Sequence, residues 1–265
     1  SVLKRILKNP DQVMDGLVYF SFKGWFDDSD SFSVKTVNGI EILLSRTGYT
    51  GEFGVELFTR RENLIPLWLL AIESSKGLGL LPCGLACRDS LRTGAGLPLS
   101  HQDIGEWPFG NTPWDFVLPL DDKGSYTKSF VGGDKVIHGL KEEAYTYPFA
   151  GYDPRKIVIG ENTRVCNIDG EPIGRVLTCT TDMAIDRGDD GKIIHFSSAQ
   201  LKSDGTPNVK GLSCGFVKVD KKLSWGDQVF LVAGKRKIKV EIKEDIRPQR
   251  TGRLSLEKII QKFIL

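Results

Sequence analysis

From residue 145 to residue 246 the sequence is a succession of short apolar runs separated by glycine-bearing turns: 156–159, 163–167, 172–177, 212–217, 228–232 and 236–241. Evenly spaced strands of this length, with turn residues between them, close into a small antiparallel barrel, an arrangement that leaves no free edge. The series is interrupted by a polar, glycine-bearing stretch at 186–210. A connection of that length predicts an excursion from the barrel, ordered or mobile.

The preceding part mixes helix with strand. Val2, Leu3, Ile6 and Leu7 recur at helical spacing, and Asn9-Pro10-Asp11 stops that helix or starts another. A strand is expected over 17–22, a polar connection over 27–31, and a second strand over 32–37 that turns at Asn38-Gly39 into a hairpin with 40–44. Leu64, Leu67, Trp68, Leu70, Ala71 and Ile72 predict a buried helix, and Pro82 opens another that ends at Gly94 or Gly96. Residues 101–119 are aromatic-rich and read as core or lid without chemistry. A short helix is expected over 130–140 and an amphipathic one over 254–265. The fold class is therefore α+β: a mainly antiparallel sheet with covering helices, followed by the small antiparallel β-barrel. The expected division is 1–144, 145–248 and a helical tail, 249–265.

Between the runs 40–44 and 55–58 lies Ser45-Arg46-Thr47-Gly48-Tyr49-Thr50-Gly51-Glu52-Phe53-Gly54. Three glycines at every third position allow positive φ or a close approach of backbone to another group, so a ligand can sit directly on such a loop. Glu56 follows within a strand, sharing a face with Phe58 while Val55 and Leu57 point the other way. From residue type alone a solvent-facing acid on an edge strand is the simpler reading. In the helix after Pro82, Arg88 and Arg92 stand four apart with Asp89 beside them, which is either a solvated ion-paired face or a functional one.

Composition narrows the classes. In 265 residues, 40% hydrophobic and 26% charged, a net charge of +2 with acids and bases interleaved gives no field for nucleic acid or an anionic membrane. No apolar run reaches the roughly 18 residues of a bilayer span, and residues 1–8 lack the apolar core of a signal peptide, so a cytosolic protein is expected. Cys83, Cys87, Cys166, Cys179 and Cys214 are odd in number and scattered, as reduced thiols are. His101, His138 and His195 lie far apart without ligand spacing, and no metal is expected.

The loop 45–58 resembles the signature of the glycine-cleavage T-protein family, the tetrahydrofolate-dependent aminomethyltransferases and their demethylase relatives. Residues 84–97, with Ala86-Cys87-Arg88-Asp89-Ser90-Leu91-Arg92 at their centre, resemble the family's second signature, and Thr112-Pro113 and Phe130-Val131-Gly132 its next landmarks. Two long motifs in register are a specific signal. The resemblance implies tetrahydrofolate as cofactor, Glu56 reading the pterin ring, Tyr49 against the cofactor and Arg88 supplying a charged fork. It implies transfer of a one-carbon unit from a lipoyl-carrier protein or, in relatives, demethylation of a methylated small molecule. A folate-binding module without transfer ranks third, because those relatives carry a cysteine motif where this chain has Thr47-Gly48-Tyr49-Thr50. The family's catalytic aspartate is expected upstream of Ser1, in a stretch that would make this chain part of a longer protein or one product of a cut chain. The missing N-terminal part then becomes a partner, and the compartment the cytoplasm or, in a eukaryote, the mitochondrial matrix. The tail lacks the aromatic motif with which glycine-cleaving relatives approach the folate, and this keeps the demethylase alternative open.

Overall fold

The computed structural model describes residues 2–24, 33–139, 143–196 and 199–263; the expectations at 27–31 and the ends of those at 32–37, 130–140 and 254–265 lie outside them. The chain divides into two compact units, 1–85 with 250–265, and 86–249. The boundary expected at residue 145 falls inside the second unit, at the first strand of the barrel.

The first unit begins with helices α1 (Val2–Ile6) and α2 (Pro10–Met14), the latter with proline in its first turn, where the missing N–H is no loss. Its sheet has β1 (Phe22–Lys23), β2 (Val34–Lys35), β3 (Glu41–Ser45) and β4 (Glu56–Phe58), with β3 pairing antiparallel to the other three. The strand expected over 17–22 shrinks to β1, because Phe20 adopts a φ of 61° and the Ser21 N–H turns back to the Val18 carbonyl at 3.0 Å. The hairpin at Asn38-Gly39 forms as expected, with Gly39 at a φ of 80° and the Thr36 N–H donating to Ile40 O at 2.9 Å. Ile6, Leu7, Val13, Val34, Ile42, Leu44 and Leu67 make the core. Helix α3 (Leu64–Ser74) covers it with one stripe only: Leu67 is buried, whereas Leu64, Ile65, Trp68 and Leu69 are exposed. The expected buried helix is thus half uncovered. Apolar content sets how much of a helix can be buried, and the available partner surface sets how much is.

In the second unit α4 (Leu85–Gly94, its first residue belonging to the first unit) and α5 (Gly133–Gly139) precede the strands. These are β5 (Tyr145–Gly151), β6 (Thr163–Cys166), β7 (Pro172–Asp182), β8 (Ile185–Arg187), β9 (Ile193–His195), β10 (Leu212–Val219), β11 (Gln228–Ala233) and β12 (Arg236–Ile242). Six of them close a barrel in the order β10-β5-β12-β11-β6-β7, filled by Phe149, Val165, Val217, Leu231, Val240 and Ile242. The run 156–159 is not one of its strands: Ile157 plugs the barrel core while Val158 beside it is exposed. Its place is taken by β5. The excursion contains the β8–β9 hairpin and is closed by the Lys210 N–H donating to Asp186 at 2.8 Å. The aromatic segment 101–119 is core in part: Trp114 is buried edge-on to Phe216 at 5.2 Å with its indole N–H on Gly96 O at 2.8 Å, whereas Phe116 and Val117 are exposed. Among the described residues no helix is long and apolar enough to cross a membrane.

Candidate functional site

The sheet of the first unit has one face in the core and one open. Ile42 and Leu44 alternate inward on β3, so Leu43 and Ser45 take the opposite face, where Leu43 is half-buried and Ser45 is buried. Register carries the same face across the strands, since residues directly opposite in an antiparallel pair share a side. Phe22 on β1 stands opposite Ser45, Ser45 opposite Glu56, and Leu43 opposite Phe58. The open face is therefore a row of Phe22, Ser45 and Glu56, with Phe58 two residues along β4. Both phenylalanines are about half exposed, at 58% and 48%, and Glu56 is exposed.

Two hydroxyls aim that carboxylate. Thr47 Oγ1 donates to Glu56 Oε2, and the Ser45 and Thr47 hydroxyls are 2.8 Å apart, so Ser45 donates to Thr47 once Thr47 has given its proton to the acid. Among the described residues no cation neutralises Glu56. A carboxylate fixed through one oxygen retains the lone pairs to accept two further N–H donors side by side. On the same face, Phe58 follows two residues along β4 and Phe22 stands across β3, each offering apolar surface suited to a flat ring. Sequence reading found Glu56 and missed Ser45, Thr47 and Phe22, although the alternation on β3 and the step from Ser45 to Thr47 carry the signal.

Tyr49 lies part-buried in the glycine loop that joins β3 to β4. Under that loop Arg46, at 4% exposure, donates to Gly54 O at 2.7 Å, Gly252 O at 2.8 Å and Leu254 O at 3.2 Å, with its guanidinium 4.0 Å from the centre of the Phe53 ring. Burial pushes the Arg46 guanidinium below its ordinary pKa, and Tyr19 works the other way. Glu52, the other acid of the loop, faces the tail and accepts the Thr251 hydroxyl at 2.5 Å.

Arg88 is exposed on α4, in the second unit, whereas Tyr49 and Glu56 belong to the first. Its neighbour one turn on, Arg92, is 1% exposed and bound to Asp89 and Asp103. Spacing put the two arginines on one face, and long-range partners divide their roles. Helix α4 is fastened to the barrel by Ser90 Oγ on Thr181 O at 2.5 Å and by Arg247, which pairs with Asp182 at 3.0 Å and reaches Leu91 O at 3.2 Å. At Gly94 any Cβ would fall 1.9 Å from the Asp182 carboxylate, which explains the glycine there. Arg88 thus projects from a rigid support.

Residues 29–108 match the GCVT N-terminal domain family. An aminomethyltransferase of Geobacillus sp. (strain WCH70) is 32% identical over 77% of this chain and 52% of its own length, and one of Streptomyces coelicolor is 36% identical over 53% and 38%. The chain belongs to the glycine cleavage T-protein family. It spans about half the length of the curated relatives it matches. The fold agrees: the crystal structure of glycine cleavage system aminomethyltransferase T from Bartonella henselae superposes with a TM-score of 0.61, covering 91% of this chain and 58% of that one at 18% identity. The α+β layer and the closed six-stranded barrel match the fold of that neighbour.

Proposed function

We propose that this chain serves tetrahydrofolate-dependent transfer of an aminomethyl group, with Glu56 as the acid that reads the cofactor. The observation that carries the reading is the hydroxyl-aimed, exposed carboxylate of Glu56 on a sheet face that also carries the half-exposed Phe58 on the same strand and Phe22 two strands away. A pterin presents an amino group beside a ring N–H, and one carboxylate accepts both in a flat two-pronged contact. The relatives are called aminomethyltransferases, which favours this reaction over demethylation and over folate binding alone.

When bound, the folate supplies the nitrogens that take up the one-carbon unit. This chain's share is recognition and orientation. Glu56 accepts the pterin donors, Ser45 and Thr47 hold its carboxylate in line, Phe22 and Phe58 exclude water from the ring's flanks, and Tyr49 closes on it from the loop. The donor is an aminomethyl group on a lipoyl-carrier protein, in the cytoplasm or the matrix of a mitochondrion.

Titration of the chain with 5-formyltetrahydrofolate, a stable reduced folate, tests the reading. Saturable binding that free pterin competes away is expected. Binding insensitive to pterin, or none, would overturn it.

A further inference from the structure

We infer that the C-terminal segment 250–254 is the clamp that sets the shape of the glycine loop, making Arg46 and Thr251 positioning residues for whatever that loop binds. For folate in particular the inference rests on the function proposed above.

The contacts run in both directions between two stretches about 200 residues apart in sequence. Thr251 donates its hydroxyl to Glu52 Oε2 at 2.5 Å and its backbone N–H to the same oxygen at 3.2 Å, while its hydroxyl oxygen accepts the Phe53 N–H at 2.8 Å. One residue on, the Gly252 N–H donates to Gly51 O at 2.9 Å. The approach is close enough that a Cβ on Gly252 would sit 2.8 Å from that carbonyl, so a side chain there would lift the segment away. Arg46 closes the circuit from below, binding Gly54 O of the loop and Gly252 O and Leu254 O of the tail with one guanidinium.

Arg46, Thr251 and Gly252 are all buried, so these bonds are made away from water, where an unmade one is costly. A loop with Gly48, Gly51 and Gly54 has many backbone states of its own. The tail selects one of them. Tyr49 lies inside the clamped span and Glu56 just beyond it, so the clamp fixes the path between the two groups that face the ligand. The carboxylate of Glu52 is used in this clamp, which separates its role from that of Glu56.

The test compares the wild-type chain with Thr251→Val, which keeps the volume and removes the hydroxyl, and with Thr251→Ser, which restores it. Hydrogen exchange is read at the amides of 51–53, 5-formyltetrahydrofolate affinity by titration, and the melting temperature alongside. For Thr251→Val we expect roughly tenfold faster exchange at Phe53, about fivefold or greater loss of folate affinity, a melting temperature lower by a few degrees, and recovery of all three in Thr251→Ser. Unchanged exchange in Thr251→Val would overturn the clamp. Faster exchange with unchanged folate affinity would overturn the positioning role. If the wild-type chain binds no folate while exchange responds as expected, the clamp stands and the folate reading falls.

Discussion

Arg92 and Asp103 meet with their side chains 1% and 0% exposed, and the pair joins α4 to the chain that follows it. Thr178 donates its hydroxyl to Asp103 at 2.7 Å and accepts from Arg92 at 3.1 Å, and the Leu99 N–H adds a third donor to the acid at 2.9 Å. Burial works against the guanidinium's charge, but Asp103 and then Asp89 more than restore it, so its pKa stands above the ordinary value. Asp103→Asn leaves that cation buried with half its neutralisation. We expect a loss of about 3–5 kcal/mol in urea unfolding, and a loss under about 1 kcal/mol would contradict the network's role.

Gly215 on β10 is pressed between its neighbours in the barrel, and a Cβ there would lie 1.8 Å from Thr178 O and 2.7 Å from the Phe149 ring. Neither neighbour can yield without breaking the ladder. Gly215→Ala should lower stability by about 3 kcal/mol or prevent folding, whereas Gly160→Ala, with nothing within 4 Å and no positive φ, should shift it by less than about 0.5 kcal/mol. Equal melting temperatures for the two variants would contradict this packing.

Cys214 is fully buried, and burial followed by the Asp182 charge pushes its thiol up to about 12, with the Thr180 hydroxyl and Arg247 opposing. The unfolded thiol loses its proton near the ordinary value of 9.0, so between about 9 and about 12 the folded state holds a proton that the unfolded state has released. Stability from this group is complete below that window and falls as pH rises through it. Taking urea unfolding from about pH 8 to about pH 10.5, the wild type should lose roughly 2 kcal/mol more than Cys214→Ala. Parallel losses would show that the thiol titrates normally.

Local chemistry was legible in the sequence where it decides local structure. The Asn38-Gly39 turn and the alternation of β12, with Ile238, Val240 and Ile242 inward, follow directly from residue type. β5 escaped the same reading because 146–151 are buried without interruption, leaving no period of two, while 156–159 mimicked a strand around the single inward Ile157. At the site, Glu56 could be named from its motif and its strand. Its exposure agrees with the simpler reading from residue type, but the face it shares with Ser45 and Phe22 could not be read, since that face exists only once β1 and β4 pair with β3. The division between Arg88 and Arg92 depends on Asp103 and Thr178, the latter 86 residues from Arg92. Thr251 and Glu52 are 199 apart, and no local pattern links them.

The central claim, that Glu56 reads the folate, is tested most directly by titrating 5-formyltetrahydrofolate into the wild-type chain and into Glu56→Gln and Glu52→Gln. Glutamine at 56 offers one acceptor where the carboxylate offers two, and turns an N–H₂ toward the pterin's own donors. Glutamine at 52 can still accept from Thr251. We predict roughly 10- to 100-fold weaker binding for Glu56→Gln with an unchanged melting temperature, and a change of less than about threefold for Glu52→Gln. Equal affinities for wild type and Glu56→Gln, or a larger loss at Glu52, would contradict the account.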